Sequence, residues 1–299
     1  MTVIDAAEGD ADAFESVVRL LTDRQAVVLS GAGCSTESGI PDYRGPEGSL
    51  RKRSPVQYGD FVRSEAARRR YWARSTVGWH RVVSARPNPA HVGIARLERA
   101  GIVSGVITQN VDGLHQAAGS GDVVELHGSL ARVACLACGA RTSRTEMQSR
   151  LEAANPGWLG SSSGGSTSGG SSAVSHATAE PAPDGDVELG DVAYDAFDVP
   201  ACGACGGVLK PDVVFFGENV PKERVEDSWA MMDRAGALLV VGSSLTVYSG
   251  RRFVYGAVER GLPIAVVNLG PTRADEHAMT KVEGRLGDVI PRLAEALDA

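Results

Sequence analysis

The sequence predicts an α/β fold in which a parallel β-sheet is covered by helices on both faces. Two observations support this prediction. Short apolar runs, typical of buried strands, recur along the 299-residue chain, and stretches with helical spacing lie between them. In addition, Gly31-Ala32-Gly33 directly follows the first apolar run, where a parallel sheet places a tight turn at the carboxyl end of a strand.

Apolar runs are predicted to form the strands of this sheet at residues 26–30, 101–110, 122–128, 212–218, 237–244 and 263–270. Apolar side chains at helical spacing predict a helix over residues 11–24. The segment 46–90 is polar and basic with interspersed aromatic residues, so we expect helices that pack outside the sheet. The stretch PNPAH at residues 87–91 predicts a turn that opens a further helix.

The composition argues against several classes of protein. The net charge is −7, which disfavours a nucleic-acid partner because nucleic-acid binders carry basic surfaces. No apolar run reaches the length of about 18 residues that a membrane span needs, so no membrane partner is expected. The acidic amino terminus lacks the apolar region of a secretory signal. We therefore expect a cytoplasmic protein, and the sequence leaves its oligomeric state open.

Four of the five cysteines form two Cys-x-x-C pairs, Cys135 with Cys138 and Cys202 with Cys205. This spacing lets two thiolates reach one ion from a tight turn, and two such pairs complete a tetrahedral zinc site. The alternatives are a redox-active pair or unrelated thiols. Because cysteines would fill all four positions, we expect one structural Zn²⁺ rather than a catalytic ion. A Gly- and Ser-rich stretch, residues 160–186, separates the pairs and is predicted to be a disordered insertion.

Five blocks of sequence occur here in the order found in the sirtuin family of NAD-dependent protein deacylases. They are GAGCSTESGIPDYRG at residues 31–45, TQNVD at 108–112, ELHG at 125–128, the two cysteine pairs, and GSS at 242–244. The chain therefore resembles this family over residues 14–295. RYWARS at 70–75 and PDYRGPEG most resemble the class II, mitochondrial-type branch.

The resemblance implies a Rossmann-like NAD-binding domain and a small second lobe that combines a zinc ribbon with helices. The Rossmann-like domain is expected over residues 1–45, 92–130 and 208–299. The small lobe is expected to take its helices from residues 46–91 and its zinc ribbon, with the disordered insertion, from residues 131–207.

The resemblance also assigns residues to NAD, which would be a co-substrate. A glycine turn lets the backbone approach a pyrophosphate, and the polar loop after it is expected to close over the nicotinamide ribose. Asp112 is expected to bind the nicotinamide amide, although Asp and Asn after strands often cap turns instead. Serines such as Ser243 can likewise cap the next helix. The implied cofactor residues are Gly31, Ala32, Gly33, Cys34, Ser35, Glu37, Asp42, Tyr43, Arg44, Gln109, Asn110, Val111, Asp112, Gly242, Ser243, Ser244, Asn268, Leu269, Gly270 and Leu286.

His127 and Asn110 are the implied catalytic residues. An imidazole is neutral enough at pH 7 to take a proton from a ribose hydroxyl, so His127 suits a general base. Taken alone, a histidine at a strand end is more often a half-buried structural residue. The ELHG block and the upstream TQNVD block favour the base instead. Asn110 is expected to hold the ribose and a water.

A further strip resembles the segment that pairs with a substrate peptide by strand addition, although an ordinary core strand is the alternative. It consists of Val214, Phe215, Phe216, Gly217 and Glu218. The acyl-lysine is expected to lie in an apolar tunnel between the two lobes. Tyr71 and Arg74 have the Y-x-x-R spacing that grips acidic acyl chains in another branch of the family, which leaves the acyl preference open.

The sequence thus predicts an NAD-dependent protein-lysine deacetylase that releases nicotinamide and O-acyl-ADP-ribose, with acylated proteins as its substrates. Mono-ADP-ribosyl transfer to a protein is an alternative because it shares the cleavage of the nicotinamide bond. A hydride-transferring dehydrogenase and a zinc-stabilised module that senses NAD without turnover are further alternatives. The dehydrogenase is disfavoured because no convincing acidic residue follows a second strand about 20 residues after the glycine turn.

Overall fold

The structure is a computed structural model, and it describes residues 3–43, 56–159, 180–181, 187–189 and 192–299. The chain divides into two compact units. The first unit takes its described residues from Met1–Lys52, Arg86–Gly128 and Val220–Ala299. The second takes them from Arg53–Ala85 and Ser129–Asn219.

The helices, in chain order, are α1 (Val3–Asp23), α2 (Tyr58–Arg63), α3 (Glu65–Ser84), α4 (Pro89–Arg99), α5 (Leu114–Ala117), α6 (Arg144–Ala154), α7 (Lys222–Asp233), α8 (Tyr248–Glu259) and α9 (Leu286–Ala296). The strands are β1 (Ala26–Ser30), β2 (Val103–Thr108), β3 (Val123–Glu125), β4 (Gly128–Cys135), β5 (Arg141–Ser143), β6 (Glu180–Pro181), β7 (Val187–Glu188), β8 (Leu209–Val213), β9 (Ala237–Val241), β10 (Ile264–Val267) and β11 (Thr280–Val282). None of the described helices is sufficiently long and apolar to cross a membrane.

The first unit is built on a six-stranded sheet with the strand order β11-β10-β9-β1-β2-β3. All of its neighbouring strands run parallel. Alternate residues of β1 enter two different cores, because successive side chains of a strand point to opposite faces. Val28 packs with residues of α1, α4 and α9, whereas Leu29 packs with residues of α7 and α8. The sheet is therefore buried on both faces, and the predicted Rossmann-like α/β fold class is confirmed.

One predicted strand does not belong to this sheet. The segment 212–218 was expected to join it, but β8 ends at Val213 and belongs to a three-stranded sheet, β5-β4-β8, in the second unit. Pro211 explains part of this, because a proline lacks the N–H that a central strand needs, and β8 is an edge strand. The sixth strand of the parallel sheet is β11, whose short polar sequence Thr280-Lys281 carries little apolar signal.

The second unit packs α3 against α6. Helix α3 buries a continuous stretch from Tyr71 to Trp79, so its buried surface is not confined to one stripe. The guanidinium of Arg144 lies 5.4 Å from the ring centre of Trp72 and 5.0 Å from that of Trp79. It also donates hydrogen bonds to the backbone and hydroxyl oxygens of Ser75 at 3.1 and 3.2 Å, so the buried charge has both partners and aromatic contacts.

Among the described residues, the unit bounds differ from the expected domain bounds in three places. Residues 86–91 cluster with the first unit, and residues 129–130 and 208–219 cluster with the second. Most of the predicted disordered insertion, residues 160–179 and 182–186, lies outside the described residues. Within it, Glu180–Pro181 form the short strand β6, which pairs antiparallel with β7.

Candidate functional site

The carboxyl ends of three neighbouring strands in the first unit lie at the same level. Ser30, the last residue of β1, is in register with Thr108 at the end of β2 and with Val241 at the end of β9. Ligands of open parallel sheets bind at this edge. The loops after β1, β2 and β9 carry the GAG, QNVD and GSS motifs, so the fold brings together three blocks that are far apart in sequence.

The glycines let two of these loops touch. A Cβ atom on Gly31 would lie 2.7 Å from the Cβ of Ser243, and one on Gly33 would lie 2.9 Å from the carbonyl oxygen of Gly242. Gly242 itself has φ +60°, a conformation that favours glycine. The Gly33 N–H donates to the Gly242 carbonyl at 2.9 Å, so this amide joins the loops to each other.

A short 3₁₀ helix, not an α-helix, follows the glycine turn. It spans Ala32–Ser38 and ends at Gly39, which has φ +82° and caps it in the left-handed conformation. This explains why the third glycine of the motif comes later than in a dinucleotide-binding fingerprint. Asp42 and Tyr43 follow and are half-buried, whereas Arg44 lies outside the described residues.

Ser35, Asn110 and Asp112 form one hydrogen-bonded group. The Ser35 hydroxyl donates to the Asp112 carboxylate at 2.7 Å, and the Asn110 amide donates to the Ser35 oxygen at 3.0 Å. The Asn110 amide also donates to the Gly31 carbonyl at 3.0 Å. Burial raises the pKa of Asp112, while its bonds from Ser35 and the Leu114 N–H act in the opposite direction. The loops after β1 and β2 are thus joined by polar side chains that sequence reasoning had selected.

His127 lies in the turn between β3 and β4, directly before β4, and it has a partner on each ring nitrogen. Its Nδ1 lies 3.0 Å from the Gln109 carbonyl oxygen, and its Nε2 lies 2.7 Å from the Ser249 hydroxyl. Burial lowers the pKa of His127 to about 4, and the charges of Arg224 and Arg252 act in the same direction. The imidazole is therefore neutral at pH 7, with its proton on Nδ1 because a carbonyl oxygen can only accept.

Gln109 connects His127 to the neighbouring loop. Its side-chain amide donates to the Ser243 hydroxyl at 2.9 Å and to the Ser30 carbonyl at 3.2 Å. Its backbone carbonyl is the partner of His127. Gln109, which follows β2, therefore forms hydrogen bonds with the end of β1, with the loop after β9 and with His127.

Sequence reasoning missed Ser249 and Gly250, at the start of α8. A Cβ atom on Gly250 would lie 2.4 Å from the side-chain oxygen of Gln109, so only glycine allows the first turn of α8 to come this close. Ser249 is 122 residues from His127 in sequence. No local pattern connects the two, and only the folded chain identifies this pair.

Other residues predicted to bind NAD also lie in the first unit. The side-chain amide of Asn268, at the end of β10, donates to the carbonyls of Leu269 and Gly270 at 3.0 and 2.9 Å. The Ser244 hydroxyl lies 3.2 Å from that of Thr246. Leu286 is the first residue of α9 and is buried.

Glu37 lies at the amino-terminal end of α9, where its carboxylate accepts the Gly287 N–H at 3.1 Å. An acidic side chain at this end of a helix is stabilised by the helix dipole. Ala32 and Val111 are partly buried members of the loops already described.

Cys34 belongs to a buried neutral group beneath the glycine turn. Its sulfur and the ring nitrogens of His91 and His115 lie within 4.8 Å of one another. Burial raises the pKa of the Cys34 thiol well above its usual range. It also lowers the pKa of His91 to about 4 and that of His115 to about 3. All three groups are therefore uncharged at pH 7, and Cys34 is not a reactive thiolate.

The four predicted zinc ligands come together in the second unit. The sulfurs of Cys135 and Cys205 are 3.5 Å apart, those of Cys138 and Cys202 are 3.8 Å apart, and all four lie within 4.8 Å of one another. A tetrahedral zinc with Zn–S bonds of about 2.3 Å places its sulfurs roughly 3.8 Å apart. The donor set and its spacing therefore fit one Zn²⁺ with no position left for a substrate.

The two cysteine turns have the same backbone geometry. Gly139 follows the first pair with φ +72°, and Gly206 follows the second with φ +73°. Each glycine N–H donates to the carbonyl of the first cysteine of its pair, at 3.0 and 2.8 Å. Backbone N–H groups from Cys138 and Ala137 lower the pKa of Cys135 to about 6, which favours the thiolate that a metal binds.

The predicted substrate strip follows β8 in the second unit. The Phe215 N–H donates to the Glu218 carboxylate at 2.9 Å, and the Glu218 N–H donates to the Phe215 carbonyl at 3.0 Å, around Gly217 with φ +79°. The Tyr58 N–H donates to the Phe216 carbonyl at 2.9 Å. Val214 and Phe216 are half-buried, whereas Phe215 packs against the rings of Phe61 and Tyr71.

Comparisons with known proteins agree with this arrangement. A family model described as "Sir2 family" matches residues 31–249. A protein of Xanthomonas campestris pv. campestris (strain 8004) named NAD-dependent protein deacetylase is 52% identical over 271 residues, which cover 91% of this chain and 87% of that protein. A Bos taurus protein named NAD-dependent protein lipoamidase sirtuin-4, mitochondrial, is 46% identical over 286 residues, which cover 94% of this chain and 86% of that protein.

A solved structure described as "Sir2-p53 peptide-NAD+" has a TM-score of 0.72 and 31% sequence identity, and the match covers 94% of this chain and 96% of that chain. Both the sequence and the fold are thus similar to the same family over most of the chain. The chain belongs to the Sir2 family, the sirtuins, as its ordered sequence motifs predicted.

Proposed function

We propose that the chain is an NAD-dependent protein-lysine deacetylase that releases nicotinamide and O-acyl-ADP-ribose. The observation that carries this proposal is His127, a neutral imidazole that lies at the carboxyl edge of the parallel sheet beside the QNVD and GSS loops. The deacetylase named among the relatives is 52% identical over most of its length, which supports the same reaction here. The identity with bovine sirtuin-4 supports a place in the mitochondrial-type branch.

The loops at this edge supply the residues for NAD. In the proposal, Asp112 and Asn110 bind the nicotinamide amide and its ribose, because the hydrogen bonds through Ser35 already fix both side chains. The pyrophosphate is assigned to the backbone of the glycine turn, whose glycines are required by its close contact with the GSS loop. Asn268 is assigned to the adenosine ribose, and a backbone group at Leu286 to the adenine.

The reaction needs a leaving group, a weak nucleophile and a base. Nicotinamide leaves the ribose with the electrons of the glycosidic bond, and the amide oxygen of an acyl-lysine forms the new bond to that carbon. His127 Nε2 then takes a proton from a ribose hydroxyl, so that this oxygen can attack the acyl carbon. Water then adds to the acyl carbon and the lysine amine leaves with a proton, so the acyl group remains on the ribose. The neutral state of His127 is the state that this step requires.

The strip from Val214 to Glu218 is proposed to bind the peptide on either side of the acyl-lysine by strand addition. Support comes from the tight turn at Gly217, which is closed by the two hydrogen bonds between Phe215 and Glu218. These bonds hold the strip in one conformation, so less entropy is lost when a peptide binds.

An acetyl group is proposed as the preferred acyl chain over an acidic one. The Arg74 side chain is buried and its Nε donates to the Val187 carbonyl at 2.6 Å. An arginine that clamps an acidic acyl group has to offer its donors to a carboxylate.

We expect at least about tenfold faster turnover of acetyl-lysine than of succinyl-lysine peptides, a difference of about 1.4 kcal/mol in activation free energy. Equal turnover of the two peptides would contradict the assignment of an acetyl preference.

The zinc cluster completes the proposal as a structural element. Four cysteines would fill the coordination positions of a zinc ion, so the ion is assigned no step in the reaction.

The function is tested by incubating the purified protein with NAD and an acetyl-lysine peptide and analysing the products by mass spectrometry. We expect nicotinamide, deacetylated peptide and O-acetyl-ADP-ribose in equal amounts. Transfer of ADP-ribose to a protein side chain with the peptide left acetylated would identify the enzyme as an ADP-ribosyltransferase. Formation of NADH, or binding of NAD without any product, would contradict the proposal.

A further inference from the structure

The first turn of α8 lies directly against the proposed base. Gly250 contacts the side chain of Gln109 so closely that a Cβ atom would lie 2.4 Å from its oxygen. This approach brings the Ser249 hydroxyl to 2.7 Å from His127 Nε2. The contact between α8 and His127 therefore depends on two adjacent residues. Gly250 has no side chain and allows the close approach, and Ser249 supplies the hydroxyl.

A serine near a helix start ordinarily caps the backbone. In α8 the N-cap residue is Val247, and the Ser249 hydroxyl bonds to His127. Because Nδ1 carries the proton shared with the Gln109 carbonyl, Nε2 of the neutral ring is an acceptor, and the Ser249 hydroxyl is the donor. Each ring nitrogen of His127 therefore has a hydrogen-bond partner. The partner of Nδ1 is in the loop after β2, and the partner of Nε2 is in α8.

We propose that Ser249 is a positioning residue for His127. This inference rests on the proposed function. In the free enzyme the Ser249 hydroxyl donates a hydrogen bond to the lone pair of Nε2, so the ring keeps one orientation before the substrates bind. The substrate hydroxyl then replaces the Ser249 hydroxyl at Nε2 and gives its proton to that nitrogen, while Ser249 keeps its own proton. A base fixed in this way loses less entropy when the reaction begins.

The kinetic test compares Ser249→Ala and Ser249→Thr with the parent enzyme. Tyr248→Phe is the matched control, because it removes a hydroxyl from the neighbouring, 58% exposed position on the same turn. For Ser249→Ala we expect kcat for deacetylation to fall about tenfold, while KM for NAD and for the peptide stays within about twofold of the parent. Exchange of labelled nicotinamide into NAD is expected to continue at the parent rate, because that step uses no base.

Ser249→Thr retains a hydroxyl and should restore most of kcat, and Tyr248→Phe should match the parent. A parent-like kcat in Ser249→Ala would overturn the proposal. So would a parallel loss of exchange, deacetylation and thermal stability, because that pattern describes a general packing role of α8.

A second measurement does not depend on turnover. The ¹⁵N resonance of His127 Nε2 can be assigned by its absence in His127→Ala. In Ser249→Ala it should move downfield in the free protein, because the lone pair loses its hydrogen-bond donor. An unchanged resonance would overturn the inference even in an active enzyme. If the parent enzyme forms no O-acetyl-ADP-ribose, the proposed function fails, and the ¹⁵N shift still decides whether Ser249 holds the ring.

Discussion

At the scale of single residues, three histidines of the first unit share one property. His91 and His115 are fully buried, His127 is half-buried, and burial lowers the pKa of each of them to between about 3 and about 4. They are neutral in the folded chain at pH 7, although an unfolded histidine titrates near about 6.5. The same burial that keeps His127 neutral therefore makes the fold sensitive to acid.

This sensitivity gives a prediction for stability. Between pH 6.5 and about 4 the unfolded chain binds protons at His91, His115 and His127 that the folded chain does not bind. The free energy of unfolding should therefore fall as the pH is lowered through this window, by up to about 1.4 kcal/mol per pH unit for each of these histidines. Urea unfolding at pH 7, 6, 5 and 4.5 measures the slope. His127→Gln should flatten it, whereas a stability that is independent of pH from 7 to 4.5 would contradict the account.

The sequence predicts His127 as a candidate base, but it does not predict the contact of His127 with Ser249. His127 stands inside a short motif of fixed spacing, and Ser35, Asn110 and Asp112 belong to similar motifs. Ser249 belongs to no such motif, and its contact with His127 arises from how closely α8 approaches Gln109. Contacts between distant segments depend on packing, which local sequence patterns do not encode.

At the scale of secondary-structure elements, β8 and the strip that follows it depend on one buried ion pair. The Lys210 ammonium lies 3.0 Å from the Glu218 carboxylate, and the two side chains are 6% and 20% exposed. The ammonium also lies 4.7 Å from the ring centre of Phe215 and donates to the Val213 carbonyl. Glu218 in turn accepts the Phe215 N–H, so the ion pair contacts the proposed peptide strip at both Phe215 and Glu218.

Lys210→Met tests this arrangement. It leaves the Glu218 carboxylate without its cationic partner, and breaking such a pair typically lowers the free energy of unfolding by about 3 kcal/mol. KM for the acetylated peptide should rise more than KM for NAD. Lys222→Met is the matched control, because the Lys222–Glu226 pair has a similar 2.9 Å distance but is 88% and 59% exposed. It should change stability by no more than about 0.5 kcal/mol; equal effects of the two substitutions would contradict the assignment.

Most elements were predictable because their apolar runs are long and uninterrupted. The runs around β1, β2, β9 and β10 identified the central strands of the sheet correctly. The run at residues 212–218 was placed in the wrong sheet, because Phe215 and Phe216 give the same apolar signal whichever core they enter. Strand β11 was missed because it has three residues and lies at the sheet edge, where polar side chains are tolerated.

At the scale of the whole molecule, the chain uses two different means of stabilisation. The first unit has a large sheet that is buried on both faces. The second unit has short sheets of two and three strands, and it also contains the four-cysteine cluster. Small units with limited cores often depend on a metal, because the energy of metal binding adds to that of folding.

Cys202→Ser tests this dependence. The parent should hold one zinc per chain by mass spectrometry of the metal, and the variant should lose it because one of four ligands is replaced. The second unit should then unfold at lower temperature, as the cysteine turns lose the ion that joins them. Cys34→Ser is the control, because this buried cysteine lies outside the cluster and its loss should leave the zinc content at one. A parent without zinc, or equal zinc in Cys202→Ser, would contradict the prediction.

The central claim is that His127 acts as the base after the nicotinamide bond has been cleaved. It is tested most directly in His127→Ala by measuring two rates on the same sample, nicotinamide exchange and O-acetyl-ADP-ribose formation. The account predicts that exchange continues, while formation of O-acetyl-ADP-ribose falls by about 10²- to 10⁴-fold, the usual contribution of a general base. Formation of O-acetyl-ADP-ribose at the parent rate in this variant would contradict it.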